Sequence, residues 1–104
     1  MGACDFVVVV RGKNAKDAFS KAVQEARYMN GHGGYTGTIA EKGEFVMVGT
    51  TATEADAYTR SQELLGANDS RISDKWGPAG CITIVDGSTK DGTTLYLFFG
   101  WASS

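Results

Sequence analysis

The chain of 104 residues has little of what catalytic and metal-binding sites are usually made from. It contains one histidine, His32, and two cysteines, Cys4 and Cys81, which stand far apart and form no CxxC pair. One His with scattered carboxylates is poor material for a metal centre, so no metal is expected. No serine or cysteine sits in a nucleophile-elbow pattern such as GxSxG. No GxxxxGK[ST] phosphate loop occurs either, and no cofactor is expected. A basic excess is also missing: Lys+Arg 10 against Asp+Glu 12 leaves a net charge of -2. That lacks the footprint of a phosphate-backbone binder and ranks nucleic acid low among partners. No apolar run approaches the roughly 18 residues of a membrane span, so no membrane is expected. Met1-Gly2-Ala3-Cys4-Asp5 has no positive segment ahead of an apolar one, which argues against a secretory signal. Phe6, where the myristoylation pattern needs Ser or Thr, argues against that lipid. The expectation is a cytoplasmic protein with two reduced thiols.

What is present suffices for one domain over residues 1–104, since 42% hydrophobic residues can bury a core without metal or disulfide. Phe6 and the run Val7-Val8-Val9-Val10 read as a strand. Because the run does not alternate, it predicts a central strand covered on both faces, by another layer or another subunit. Asn14 is an N-cap candidate with Asp17 three residues on. Ala15, Ala18, Phe19, Ala22, Val23, Ala26 and Met29 then recur at helical spacing, and Asn30-Gly31 stops the helix. A strand is expected over 35–40, a hairpin turn over 41–44 and a strand over 45–48. Thr53 with Asp56 opens a second helix, whose apolar face would be Ala57, Tyr58, Ser61, Leu64 and Leu65. Strands over 81–85 and 95–99 complete the pattern.

Sliding the chain by 39 positions puts Phe6 on Phe45, Val7 on Val46, Val9 on Val48, Asn14 on Thr53 and Asp17 on Asp56. Chance, shared capping chemistry and duplication each account for a match this short. The element order predicts an α+β fold, a ferredoxin-like βαββαβ sandwich with one extra C-terminal strand. Its two helices would lie on one face of a mainly antiparallel sheet. In that arrangement the glycine-rich stretch after the first helix lies at the same end as 49–52. The turns at 11–13 and 41–44 and the Trp76 loop lie at the other end.

Three stretches carry a resemblance: Gly34-Tyr35-Thr36-Gly37-Thr38-Ile39-Ala40-Glu41-Lys42, Lys75-Trp76-Gly77-Pro78-Ala79-Gly80 and Phe98-Phe99-Gly100-Trp101-Ala102. Together they resemble a group of small bacteriophage and prokaryotic proteins for which no activity is known. The resemblance spans the chain and implies a cytosolic protein, in the host cytoplasm where a phage encodes it. It gives no residue a role.

The least ordinary stretch is 29–39, with four glycines and the histidine. Glycines let a backbone approach a phosphate, and successive N–H groups form anion-binding concavities. The leading expectation is a non-catalytic binding protein that holds a small anionic or nucleotide-like ligand here. Its contacts would be His32, Gly33, Gly34, Tyr35 and Thr36, with Thr50 and Thr51 at the same end. The plain alternative for this stretch is a helix stop and a connection. Catalysis ranks lower, since His32 and Lys42 would stand at opposite ends of the fold. RNA binding ranks lower still, because a valine-rich strand offers no row of stacking aromatics. The rival expectation is a protein-interaction module. It would use an aromatic sheet face of Tyr96, Phe98 and Trp101, left without helices, and that face would also form a homodimer.

Overall fold

The computed structural model describes residues 3–30, 39, 42–67, 69–73, 77–85 and 92–103. Within them the order is β1 (Ala3–Gly12), α1 (Ala15–Asn30), β2 (Phe45–Thr51), α2 (Glu54–Gly66), β3 (Ala79–Ile84) and β4 (Thr94–Ser103). Both helices begin as their caps dictate. Asn14 Oδ1 accepts the Asp17 N–H at 2.8 Å, and Asp17 Oδ2 accepts the Lys13 N–H at 3.0 Å, so two amides with no helical partner are satisfied. That backbone bond first, and then the Lys21 ammonium at 3.2 Å, hold the Asp17 carboxyl below its ordinary 3.8. At α2, Thr53 accepts the Asp56 N–H at 3.2 Å. The Asn14/Thr53 and Asp17/Asp56 matches are therefore capping chemistry repeated at two helix starts.

The sheet is mixed, in the order β1-β4-β3-β2. β1 pairs antiparallel with β4 through ten unbroken pairs, from Ala3↔Ser103 to Gly12↔Thr94. β4 pairs antiparallel with β3, and β3 runs parallel to β2, with an irregularity between Met47 and Gly49. The fold is thus α+β, with two helices and four strands among the described residues.

Side-chain alternation along the strands divides the core in two. On one face Ala18, Ala22 and Val23 of α1 pack with Cys81, Tyr96 and Phe98. On the other, Ala57, Leu64 and Leu65 of α2 pack with Ile82, Ile84, Leu97 and Phe99. This corrects the ferredoxin-like expectation of both helices on one face. That topology needs a hairpin between the two crossovers to reverse the direction of the second. The strand expected over 35–40 lies outside the described residues except for Ile39, which sits in a short 3₁₀ turn. β1, β2 and β3 all point the same way. The first crossover carries the chain from one sheet edge to the other, and the second steps back. Two crossovers of the same hand that travel in opposite directions must use opposite faces, and the right-handed preference gives both the same hand.

Three further expectations change. Among the described residues the valine strand is an edge strand, and β3 and β4 are the central pair. β4 runs well past the expected residue 99, because it matches β1 along its whole length, and it takes Trp101 into the sheet. Tyr58 is 53% exposed and does not join the buried face of α2.

Candidate functional site

The pocket expected of the sequence draws on two segments, of which the structure describes one. Residues 31–38, including His32, Gly33, Gly34, Tyr35 and Thr36, lie outside the described residues. Their point of departure is described: α1 runs back against β1 and ends at Asn30, beside the start of the parallel strands. Thr50 and Thr51 close β2 at the opposite end, so they do not flank that departure point. Their local role is visible, since Thr51 Oγ1 donates to the Thr53 carbonyl at 3.0 Å and tightens the entry into α2.

Lys42 changes ends as well. It precedes β2, at the end where α1 stops. It is 2% exposed, and its Nζ donates to the Gly77 carbonyl at 2.9 Å. The Ala79 N–H donates to the Glu44 carbonyl at 3.0 Å and ties the same two segments together. The approach to β2 and the approach to β3 are therefore clamped side by side. The expected nearness of the 41–44 turn and the Trp76 loop is met at their described flanks, at the glycine-stretch end of the sheet instead of the Arg11 end.

The expected aromatic interface is divided between the two faces and covered. Tyr96 and Phe98 lie under α1, 8% and 0% exposed, and Phe98 stands edge-on to Phe19 at 5.5 Å and to Phe45 at 5.7 Å. Trp101 faces the other way and packs, half-buried, against the α2 cluster. No helix-free aromatic face remains among these residues, because α1 occupies the face that the one-sided arrangement would have left open.

A candidate surface lies instead where α1 leans over β1. A groove of about 260 Å³ is walled by Phe6 and Val8 of β1, by Ala22, Ala26 and Met29 of α1, and by Ile39. Among the described residues Glu25 is the one charged residue on its wall. Met29 is 74% exposed and the adjacent Tyr28 87%, so α1 ends in large apolar side chains that its own chain does not bury. Among the described residues no strand pairs with the outer edge of β1, and Val7, Val8, Val9 and Val10 stay half-buried on both faces. Periodicity could not reveal this groove, because Met29 reads as one more apolar position of α1.

Chemistry is sparse at this surface. Among the described residues no three His, Cys, Asp or Glu side chains gather as a metal site. Cys81 is fully buried in the α1-side core, and burial pushes its thiol up to about 12, far from a reactive thiolate at neutral pH. β4 lies between β1, which carries Cys4, and β3, which carries Cys81, so the two are beyond the reach of a disulfide. No described helix is long and apolar enough to cross a membrane. No family model, no curated protein and no solved structure matches the chain.

Proposed function

We propose that this protein is a non-catalytic interaction module that works by strand addition along the outer edge of β1. One observation carries the reading: among the described residues a ten-residue, unbulged strand stands at the edge of the sheet, with an apolar run from Phe6 to Val10 half-buried on both faces, beside an apolar groove. Exposed edges of this kind are templates for another strand, and proteins that do not use them blunt them with bulges, charges or short length. β2, the opposite edge, shows such protection: it is seven residues long and irregular at Val48. β1 carries no charge between Phe6 and Val10. The groove would take an apolar side chain of the added strand.

Residue-resolved hydrogen exchange tests this. The β1 amides that do not bond to β4 should be unprotected in dilute protein. They should gain protection when the protein is concentrated or mixed with the extract of the cells that express it. Exchange at β1 that is unchanged in both conditions refutes the reading.

A second reading, a small anionic or nucleotide-like ligand held at 31–38, is supported by the buried Lys42 ammonium at the end from which that stretch departs. A thermal-shift screen with nucleotides and inorganic phosphate tests it. A rise of several degrees that is lost in His32→Ala supports it, and a flat screen removes it.

A further inference from the structure

We infer that the strand added to β1 is the β1 of a second copy, antiparallel and centred on Val8, so that two four-stranded sheets join into one of eight strands. This rests on the edge-strand reading above and names the partner of that edge. The argument is the order of side chains along the strand. A two-fold axis through Val8 places each residue opposite the one equally far on the other side. Val8 meets Val8, Val7 meets Val9, and Phe6 meets Val10. Asp5 meets Arg11. These are the two charged residues of the strand, both exposed, and they stand three positions either side of Val8.

The alternation of the sheet agrees with this register. Asp5, Val7, Val9 and Arg11 share the face that α2 covers, while Phe6, Val8 and Val10 share the face that α1 covers. Each opposed pair is therefore on one face, as a cross-strand pair requires. On the α2 side two ion pairs close the ends of the contact around four valines. On the α1 side Val10 of the second copy comes to lie beside Phe6, at the groove that Phe6 and Val8 wall. A shift of the register by two residues in either direction removes both ion pairs and opposes a valine to a charge. The interface is self-complementary, as a closed two-fold dimer must be, and it leaves β2 at both outer edges, where the irregular strand resists further pairing.

A charge-swap series read by sedimentation equilibrium tests the register. The wild-type chain should form a dimer that does not grow further. Asp5→Arg and Arg11→Asp each set like charges opposite one another at both ends of the contact. Each should raise the dissociation constant by about tenfold to a hundredfold. The double variant Asp5→Arg with Arg11→Asp should restore it. Circular dichroism confirms that each variant is folded. As a readout independent of charge, Val8→Cys in a Cys4→Ser background should cross-link to a covalent dimer on mild oxidation, while Val10→Cys should not. A monomeric wild-type chain overturns the inference, as does a dimer indifferent to the single swaps or a double variant no better than either. If β1 gains hydrogen-exchange protection only in extract and not on concentration, self-pairing fails while the edge-strand reading stands. Protection in neither condition removes both.

Discussion

Replacing Phe98 by alanine separates the observed arrangement from the one-sided sheet expected of the sequence. Phe98 is fully buried on β4 beneath α1, and its ring meets Phe19 and Phe45 edge-on at 5.5 and 5.7 Å. Truncating such a phenylalanine costs about 3–5 kcal/mol through lost transfer energy and the cavity left behind. The two aromatic pairs favour the upper half of that range, since each is worth about 0.5–1.5 kcal/mol beyond area. Against a total stability of about 5–15 kcal/mol, this is between a third and most of the fold. At about 4–8 °C per kcal/mol for a domain of this size, the midpoint should fall by roughly 15–40 °C. Thermal unfolding followed by circular dichroism, at a concentration where the assembly state is fixed, gives the value directly. A Phe98→Ala protein that melts within about 5 °C of the wild type but loses its assembly would refute the reasoning. Such a result would mean that the ring lies at an interface and that α1 does not cover it.

Two further predictions concern single sites. A methyl group on Gly12 would stand 2.6 Å from the backbone nitrogen of Ala18 and 2.8 Å from its Cα, atoms of the α1 helix that cannot rotate away. Gly12→Ala should therefore lose about 2–3 kcal/mol in denaturant unfolding, while Gly43→Ala, which has open space around it, should stay within about 0.5 kcal/mol. The Asp69 carboxylate accepts from the Arg71 side chain at 2.9 and 3.0 Å and from the Arg71 N–H at 2.9 Å, which lowers its pKa from 3.8 to about 2. A depressed carboxyl adds stability that is fully present above 3.8 and is lost as the pH falls through about 2. Carbon-detected NMR should find Asp69 titrating near pH 2 and returning toward 3.8 in Arg71→Gln, and no change on that substitution would contradict the pairing.

Local elements were legible because their signals are local. The caps at Asn14 and Thr53 and the three- and four-residue spacing of Ala18, Ala22, Ala57 and Leu64 set both helices within a residue or two of where they lie. The layer each helix joins is a different kind of fact. It depends on the relative direction of β1 and β2, and so on whether a strand reverses the chain between α1 and β2. Thr36, Thr38 and Ile39 read equally well as a strand or as a connection. A strand there puts α2 on the face of α1 and leaves Phe98 and Tyr96 uncovered, whereas parallel β1 and β2 put α2 on the other face. The unalternating run from Val7 to Val10 asks for cover on both sides. Such a run suits a central strand as well as an edge strand, and only Asp5 and Arg11, at equal distance from Val8, mark the second.

The pairing of β1 also fixes when this sheet can close. The only described neighbour of β1 is β4, and the partners lie between 82 residues apart, at Gly12 and Thr94, and 100 residues apart, at Ala3 and Ser103. Nearly all other described elements are therefore made while the valine strand waits without a mate. Contacts this distant close slowly, because the chain entropy is lost before the contact repays it. On the ribosome the interval is set by translation, at about 5–20 residues per second, so β1 waits for several seconds as an unpaired apolar strand. Chaperone demand should therefore fall on this segment, and the rate of synthesis of residues 13–93 becomes a variable in the yield of folded protein.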